Sequence, residues 1–281
     1  MGQIACANVL SDIYTLGITD IDSVQMILGI PTDMASNERD VVTRLVGQGF
    51  KERCKTAGCA ITGGDTKQNA WFMIGGVATA VLPTSNIIRP LSAQAGDSII
   101  LTKPLGTTAA TTLYRWLEQP DKLELIKDCI TKSEIEIAYH HALHSMLTLN
   151  RAASSLMQKF GVHAATDITG YGVIGHAENL LRHQRNNVDF IIERLPIIEY
   201  MHKADIHLNN RFKLLEGKGI ETSGGLLLCI PSENANSYIE ALRALDNGDG
   251  WLIGKVVEGN GRVVIREPDQ LHVINVSSPL I

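Results

Sequence analysis

Apolar positions set two rhythms along this chain. Ile4, Ala7, Leu10, Ile13 and Tyr14 recur at helical spacing and predict a helix over 2–16 that stops at Gly17. Asn8, Ser11, Asp12 and Thr15 fall together on its other side. That stripe has no Lys, Arg or Glu, so its short oxygen-bearing arms look like the lining of a polar site. The pattern then predicts a strand at 24–29, a helix at 36–57, a short strand at 60–62 and a longer one at 71–82. Pro83, Pro90 and the stretch 91–97 mark a boundary. Beyond it come a strand at 98–102, a turn at 104–106, a helix from Thr107 and one long helix over 132–160. A strand at 188–192, a helix at 196–203, a strand at 226–230 and a helix at 232–245 follow. Alternation in 251–257 and 262–266 suggests a closing pair of strands. The fold class is α/β in two domains, 1–92 and 93–281.

Chemistry concentrates in three segments. In Ala164-Ala-Thr-Asp167-Ile-Thr169-Gly170-Tyr-Gly172-Val-Ile-Gly175-His176 a short strand ends at a carboxylate. Thr169 can cap the helix that follows, and Gly170 and Gly172 can admit a ligand close to backbone amides. An acidic residue beside a helix start suits a metal-bound phosphate, because the amides take the anion and the carboxylate its cation. An ordinary βα turn is the plainer alternative. The second segment is the Asp12 stripe; a cation shared by Asp12 and Asp167 requires the fold to bring them together. The third is 60–66, where two glycines precede Asp65 and Thr66; a tight turn is the plain alternative there.

These segments carry a resemblance. The stretches GQIACANVLSDIYTLGITD (2–20), ITGGDT (61–66), LTKPLGT (101–107), HAATDITGYGVIGHAENL (163–180) and ETSGGLLLCIP (221–231) resemble the selenophosphate synthetase (selenide, water dikinase) family, eukaryotic type. They stand in the family's order and span most of the chain. The resemblance implies an aminoimidazole ribonucleotide synthetase-like fold whose N-terminal sheet domain is incomplete here. It implies a homodimer paired through N-terminal sheets, with ATP near the interface. It implies synthesis of selenophosphate from ATP, hydrogen selenide and water, with release of AMP and phosphate. By resemblance Asp12 and Asp167 would bind Mg²⁺, and Asp12, Gly64, Asp65 and Thr66 would meet the nucleotide. The family's reactive Cys or selenocysteine, a Lys and two further aspartates belong to a segment that this sequence does not contain, so no catalytic residue is assigned. The chain is expected to be N-terminally truncated and inactive alone. Two other functions stand beside this one: a different ATP-dependent member of the superfamily, and a catalytically silent regulatory relative.

Composition narrows the field. The chain has 281 residues, 44% hydrophobic and 20% charged, with a formal net charge of −5. It has no basic run and only 5% aromatics, which argues against nucleic acid. No apolar run approaches the roughly 20 residues of a membrane span, and a cytoplasmic location is expected. The five cysteines (Cys6, Cys54, Cys59, Cys129, Cys229) are scattered, which favours buried thiols over disulfides or zinc, with Cys6 a packing residue. His140, His141 and His144 share a helix and read as a solvated surface more readily than as a metal site. Three roles stay open. Lys103 can reach a phosphate or be a rim charge, and His176 can contact phosphate or pack locally. Thr222-Ser223-Gly224-Gly225 can line the selenium side or form a plain turn.

Overall fold

The computed structural model describes residues 1–246, 248–267 and 270–278. Its N-terminal part runs α1 (Gly2–Tyr14), β1 (Ser23–Pro31), α2 (Ser36–Thr56), β2 (Ile61–Asn69) and β3 (Met73–Thr79). β1 is the middle strand, parallel to β2 and antiparallel to β3. The two helices cover one face, where Cys6, Leu10, Tyr14, Phe50 and Cys54 are buried with Val24. On the sheet, Ile27, Met73 and Val77 stay about half exposed.

The remainder runs β4 (Asp97–Leu101), α3 (Thr107–Trp116), α4 (Pro120–Leu123), α5 (Lys132–Leu147), α6 (Arg151–Met157), β5 (Ala164–Asp167) and α7 (Gly172–Arg182). Then come β6 (Val188–Ile192), β7 (Arg194–Ile198), α8 (Met201–His207), β8 (Leu226–Pro231), α9 (Ser232–Asp246), β9 (Trp251–Glu258), β10 (Val263–Ile265) and β11 (His272–Val276). Six strands form one sheet in the order β10-β6-β9-β4-β8-β5. Leu227 and Cys229 enter the core layer of α3, α5 and α7, while Leu226, Leu228 and Ile230 enter that of α6 and α9. Covered on both faces, β8 is apolar without alternation. Helix α1 joins the two parts, packing on α2 and β3 as well as on α5, α6 and β5. Among the described residues no helix is long and apolar enough to cross a membrane.

The structure corrects four predicted elements. The helix expected over 132–160 is two helices, because Thr148 turns extended (ψ 129°). The freed Thr148 carbonyl accepts Lys103 Nζ at 2.7 Å, and Asn150 reaches Ser11 and Gly224. Residues 61–66 are not a strand end and a turn; β2 runs straight through them. Gly64, at φ +144°, lies so close to β1 that a Cβ would fall 2.0 Å from the Met26 carbonyl oxygen. In 196–203, Pro196 lies inside β7, paired with β11, and a helix begins only at Met201. The last two expected strands do not pair with each other, because β6 stands between β9 and β10.

Candidate functional site

Strand β5 runs antiparallel to β8 and ends on Asp167, opposite Leu226. Helix α1 packs against β5 and brings Asp12 to the same end. Asp12 opens to solvent, whereas Asp167 is only 7% exposed. Desolvation raises the Asp12 pKa above the ordinary carboxylate value, the Asp167 charge raises it further, and His176 partly offsets both. Two acids from opposite halves of the sequence thus share one electrostatic site.

The surroundings of Asp167 are tied together from four segments. Thr169 Oγ1 donates to Asp167 Oδ2 at 2.8 Å and accepts the Gly224 N–H at 3.0 Å. Asn150 Nδ2 donates to Ser11 Oγ at 3.0 Å and to the Gly224 carbonyl at 2.9 Å, which anchors α1 to the same loop. A Cβ on Gly224 would lie 2.8 Å from Ile168 Cγ1, and one on Gly225 2.5 Å from the Lys103 nitrogen. Gly224 and Gly225 therefore form a packed wall where only glycine fits.

Two buried charges flank that wall. Lys103 Nζ donates to the carbonyls of Thr148 and Ser223, at 2.7 and 3.0 Å. Burial pushes its pKa down to about 7, against the pull of Asp167 and with help from Arg53. Glu221 sits at the N-terminus of α3 and accepts the Gly106 and Thr107 N–H groups at 2.6 and 2.9 Å and the Thr107 hydroxyl at 2.5 Å. Burial lifts its pKa to about 7, and those hydrogen bonds oppose the lift.

Of the residues expected from sequence, Asp12 and Asp167 come together. Gly64, Asp65 and Thr66 lie on the outer strand β2, exposed. Asp65 meets Lys67 at 3.2 Å, and no hydrogen bond or ion pair links the three to the aspartates among the described residues. Thr169 does not cap α7: Tyr171 holds the cap position, and the threonine hydroxyl serves Asp167. Gly172 admits the chain's own backbone rather than a ligand, since a Cβ there would lie 2.7 Å from the Gly217 oxygen. His176 Nε2 packs locally, 2.8 Å from the Thr169 oxygen and 3.2 Å from the Tyr171 nitrogen. Lys103 is no rim charge. His140 and His144 are exposed as expected, but His141 is buried. All five cysteines are free, and Cys6 lies in the core 3.4 Å from Cys54 Sγ. Sequence reasoning missed Asn150 and Glu221. Glu221 stood inside a quoted motif, while Asn150 was hidden in an unbroken helical rhythm.

Among the described residues no group of three or more His, Cys, Asp or Glu is placed to hold a metal. Two hard carboxylates do fit Mg²⁺, which keeps several waters and takes one or two carboxylates together with substrate phosphates.

Models of the AIR synthase related protein family match this chain, the N-terminal domain over residues 1–82 and the C-terminal domain over 94–266. The chain is 45% identical over 278 residues to selenide, water dikinase 2 of Homo sapiens, covering 98% of itself and 62% of that protein. It is 43% identical over 257 residues to selenide, water dikinase of Dictyostelium discoideum, covering 92% of itself and 71% of that protein. It thus spans about three-fifths of the human relative's length. Among solved structures it resembles hydrogenase maturation protein HypE in complex with ATP (TM-score 0.72, 17% identity, 99% of this chain and 80% of that one). It also resembles thiamine-monophosphate kinase from Stenotrophomonas maltophilia (TM-score 0.70, 19% identity, 94% and 77%). These two likenesses establish the fold.

Proposed function

The chain belongs to the selenide, water dikinase (selenophosphate synthetase) family, and on that footing we propose that its aspartate pair is the metal-binding face of an ATP-dependent phosphotransferase. The reaction is the conversion of ATP, hydrogen selenide and water to selenophosphate, AMP and phosphate. The carrying observation is that α1 packs on β5 and brings Asp12 to the strand end where Asp167 stands, so that the Asp167 charge adds to the burial that raises the Asp12 pKa. Asp12 and Asp167 would hold Mg²⁺, which would supply charge neutralisation for the nucleotide's phosphates.

This chain's own part is positional. Asp167 is clamped by Thr169, so one carboxylate oxygen is spoken for and the other is aimed. Asp12, open to solvent on α1, completes the pair and adjoins the nucleotide. Burial is the main cause of its raised pKa and the Asp167 charge the second, and a bound cation would offset that second contribution. Gly64, Asp65 and Thr66 contact the nucleotide from β2. That strand shares a sheet with the exposed Ile27, Met73 and Val77, and Asp65 stands opposite Ile27 in register. A second copy seated on this face forms the homodimer and brings β2 near the partner's phosphates. The division into a nucleotide-side domain (1–92) and a C-terminal domain (93–281) belongs to the same reading.

Calorimetric titration of Mg–ATP into the chain tests it. Weak saturable binding is expected, and Asp12→Asn and Asp167→Asn should each remove at least ~90% of the affinity, the tenfold scale of about 1.4 kcal/mol. Unchanged affinity in both variants would refute the assignment.

A further inference from the structure

A cavity of about 250 Å³ has Lys103 in its lining but neither aspartate. Arg53 comes to it from α2, His141 and Ser145 from α5, Thr148 from the joint after α5, and Trp251 from β9. Three buried atoms in this lining lack a hydrogen-bond partner among the described residues: Arg53 Nε, His141 Nδ1 and Ser145 Oγ. His141 and Ser145 are each 5% exposed. A buried polar atom without a partner forfeits the hydrogen bond that water would give it. Three of them around one space call for a polar occupant.

Charge decides which occupant. Arg53 is oriented by its Nη2 bond to Gln3 Oε1 at 2.9 Å, and Lys103 adds an amine. His144 stands in the same lining. The opposing carboxylate is Asp249, 3.4 Å from Arg243 Nε. Hydroxyl, guanidinium and amine donors gathered around a small volume suit a tetrahedral oxyanion. His141 Nδ1 serves such a ligand in either state, accepting from a P–OH when neutral and donating to an oxygen when protonated. The space falls below the roughly 300–1,000 Å³ that encloses a drug-sized ligand.

We propose that this cavity is a binding site for an oxyanion of the phosphate class, separate from the aspartate pair. Arg53, Ser145, His141 and Lys103 hold the anion, and Trp251 lies beside it. The site needs no metal, so it stands or falls independently of the function proposed above.

The test is calorimetry and tryptophan fluorescence of the chain titrated with inorganic phosphate in magnesium-free buffer. Saturable binding is expected in wild type and in Asp167→Asn, with affinity reduced at least tenfold in Arg53→Met and in Ser145→Ala. Arg53→Lys keeps the charge and loses the Nε–H, so it should bind at an intermediate strength and serves if Arg53→Met does not fold. Separate titrations with AMP and ATP identify the source. Displacement of phosphate with the same Arg53 dependence assigns the site to a nucleotide's phosphoryl group, and no displacement assigns it to the free anion; both keep the oxyanion class. Absence of saturable phosphate binding overturns the proposal. So does binding that ignores Arg53 and Ser145, or binding abolished by Asp167→Asn. Loss of Mg–ATP binding in Asp167→Asn with phosphate binding intact leaves both readings standing, whereas unchanged Mg–ATP binding in both aspartate variants removes only the earlier one.

Discussion

The surroundings of Asp167 and the strand β2 both carry aspartate, threonine and glycine, yet the structure treats them in opposite ways. Around Asp167 three arms are held: Thr169 by the carboxylate and Gly224, Asn150 by Ser11 and Gly224, Lys103 by two carbonyls. In the middle of β2, Asp65 and Lys67 meet only each other at the surface, 60% and 77% exposed. The same residue types are therefore preorganised in one place and merely displayed in the other. A preorganised carboxylate binds a cation without first losing rotamer freedom, whereas a displayed one needs something to close over it.

The comparison can be broken by experiment, beginning with the largest effect. Glu221 should make stability fall as pH rises from about 4.5 to about 7, because the folded state alone holds the proton in that window. A separation of that size is worth about 3 kcal/mol. Denaturant melts across this range should show the fall in wild type and a flat profile in Glu221→Gln. Lys103 acts with the opposite sign: its pKa is depressed, so stability is lost as pH drops from the ordinary lysine range toward about 7, and Lys103→Met should remove that limb. If neither slope appears, the wall between them is wetter than its burial shows.

Next in size is Gly64→Ala. It places a Cβ against Met26 at a positive φ and should cost about 2 kcal/mol or more, with hydrogen exchange rising along β2. That outcome would show that β2 is constrained in its backbone at Gly64 though not in the neighbouring Asp65 side chain. Asn150→Ala strips the buried Ser11 hydroxyl and Gly224 carbonyl of a partner and should cost about 1–2 kcal/mol. It should also weaken Mg²⁺ binding, since α1 loses its tie to the Asp167 loop. Smallest is Asp65→Asn, expected within about 0.5 kcal/mol of wild type in chemical melts. Were it to destabilise as much as Asn150→Ala, the contrast between the two regions would collapse.

Much of this was legible in the sequence, and the misses share a cause. The α1 stripe and the Asp167 segment stood out because short polar arms and glycines interrupt an apolar period. The α5–α6 break did not, because Leu149, Ala153 and Met157 continue that period while the break is fixed by partners far away in sequence. β2 was misread because an exposed glycine-rich strand shows no alternation. Lys103 gave no sign of burial, since its partners are carbonyls, which any residue supplies. Pro196 suggested a helix start, but its carbonyl accepts the Leu105 N–H inside a strand.

The interruption at Thr148–Asn150 makes the acidic pair answerable to a joint that contains no acid. Straightening that joint into continuous helix would withdraw one anchor from the lysine and another from the first helix together. Alanines inserted there, distant in sequence from both carboxylates, would shift the two aspartates relative to each other without replacing either.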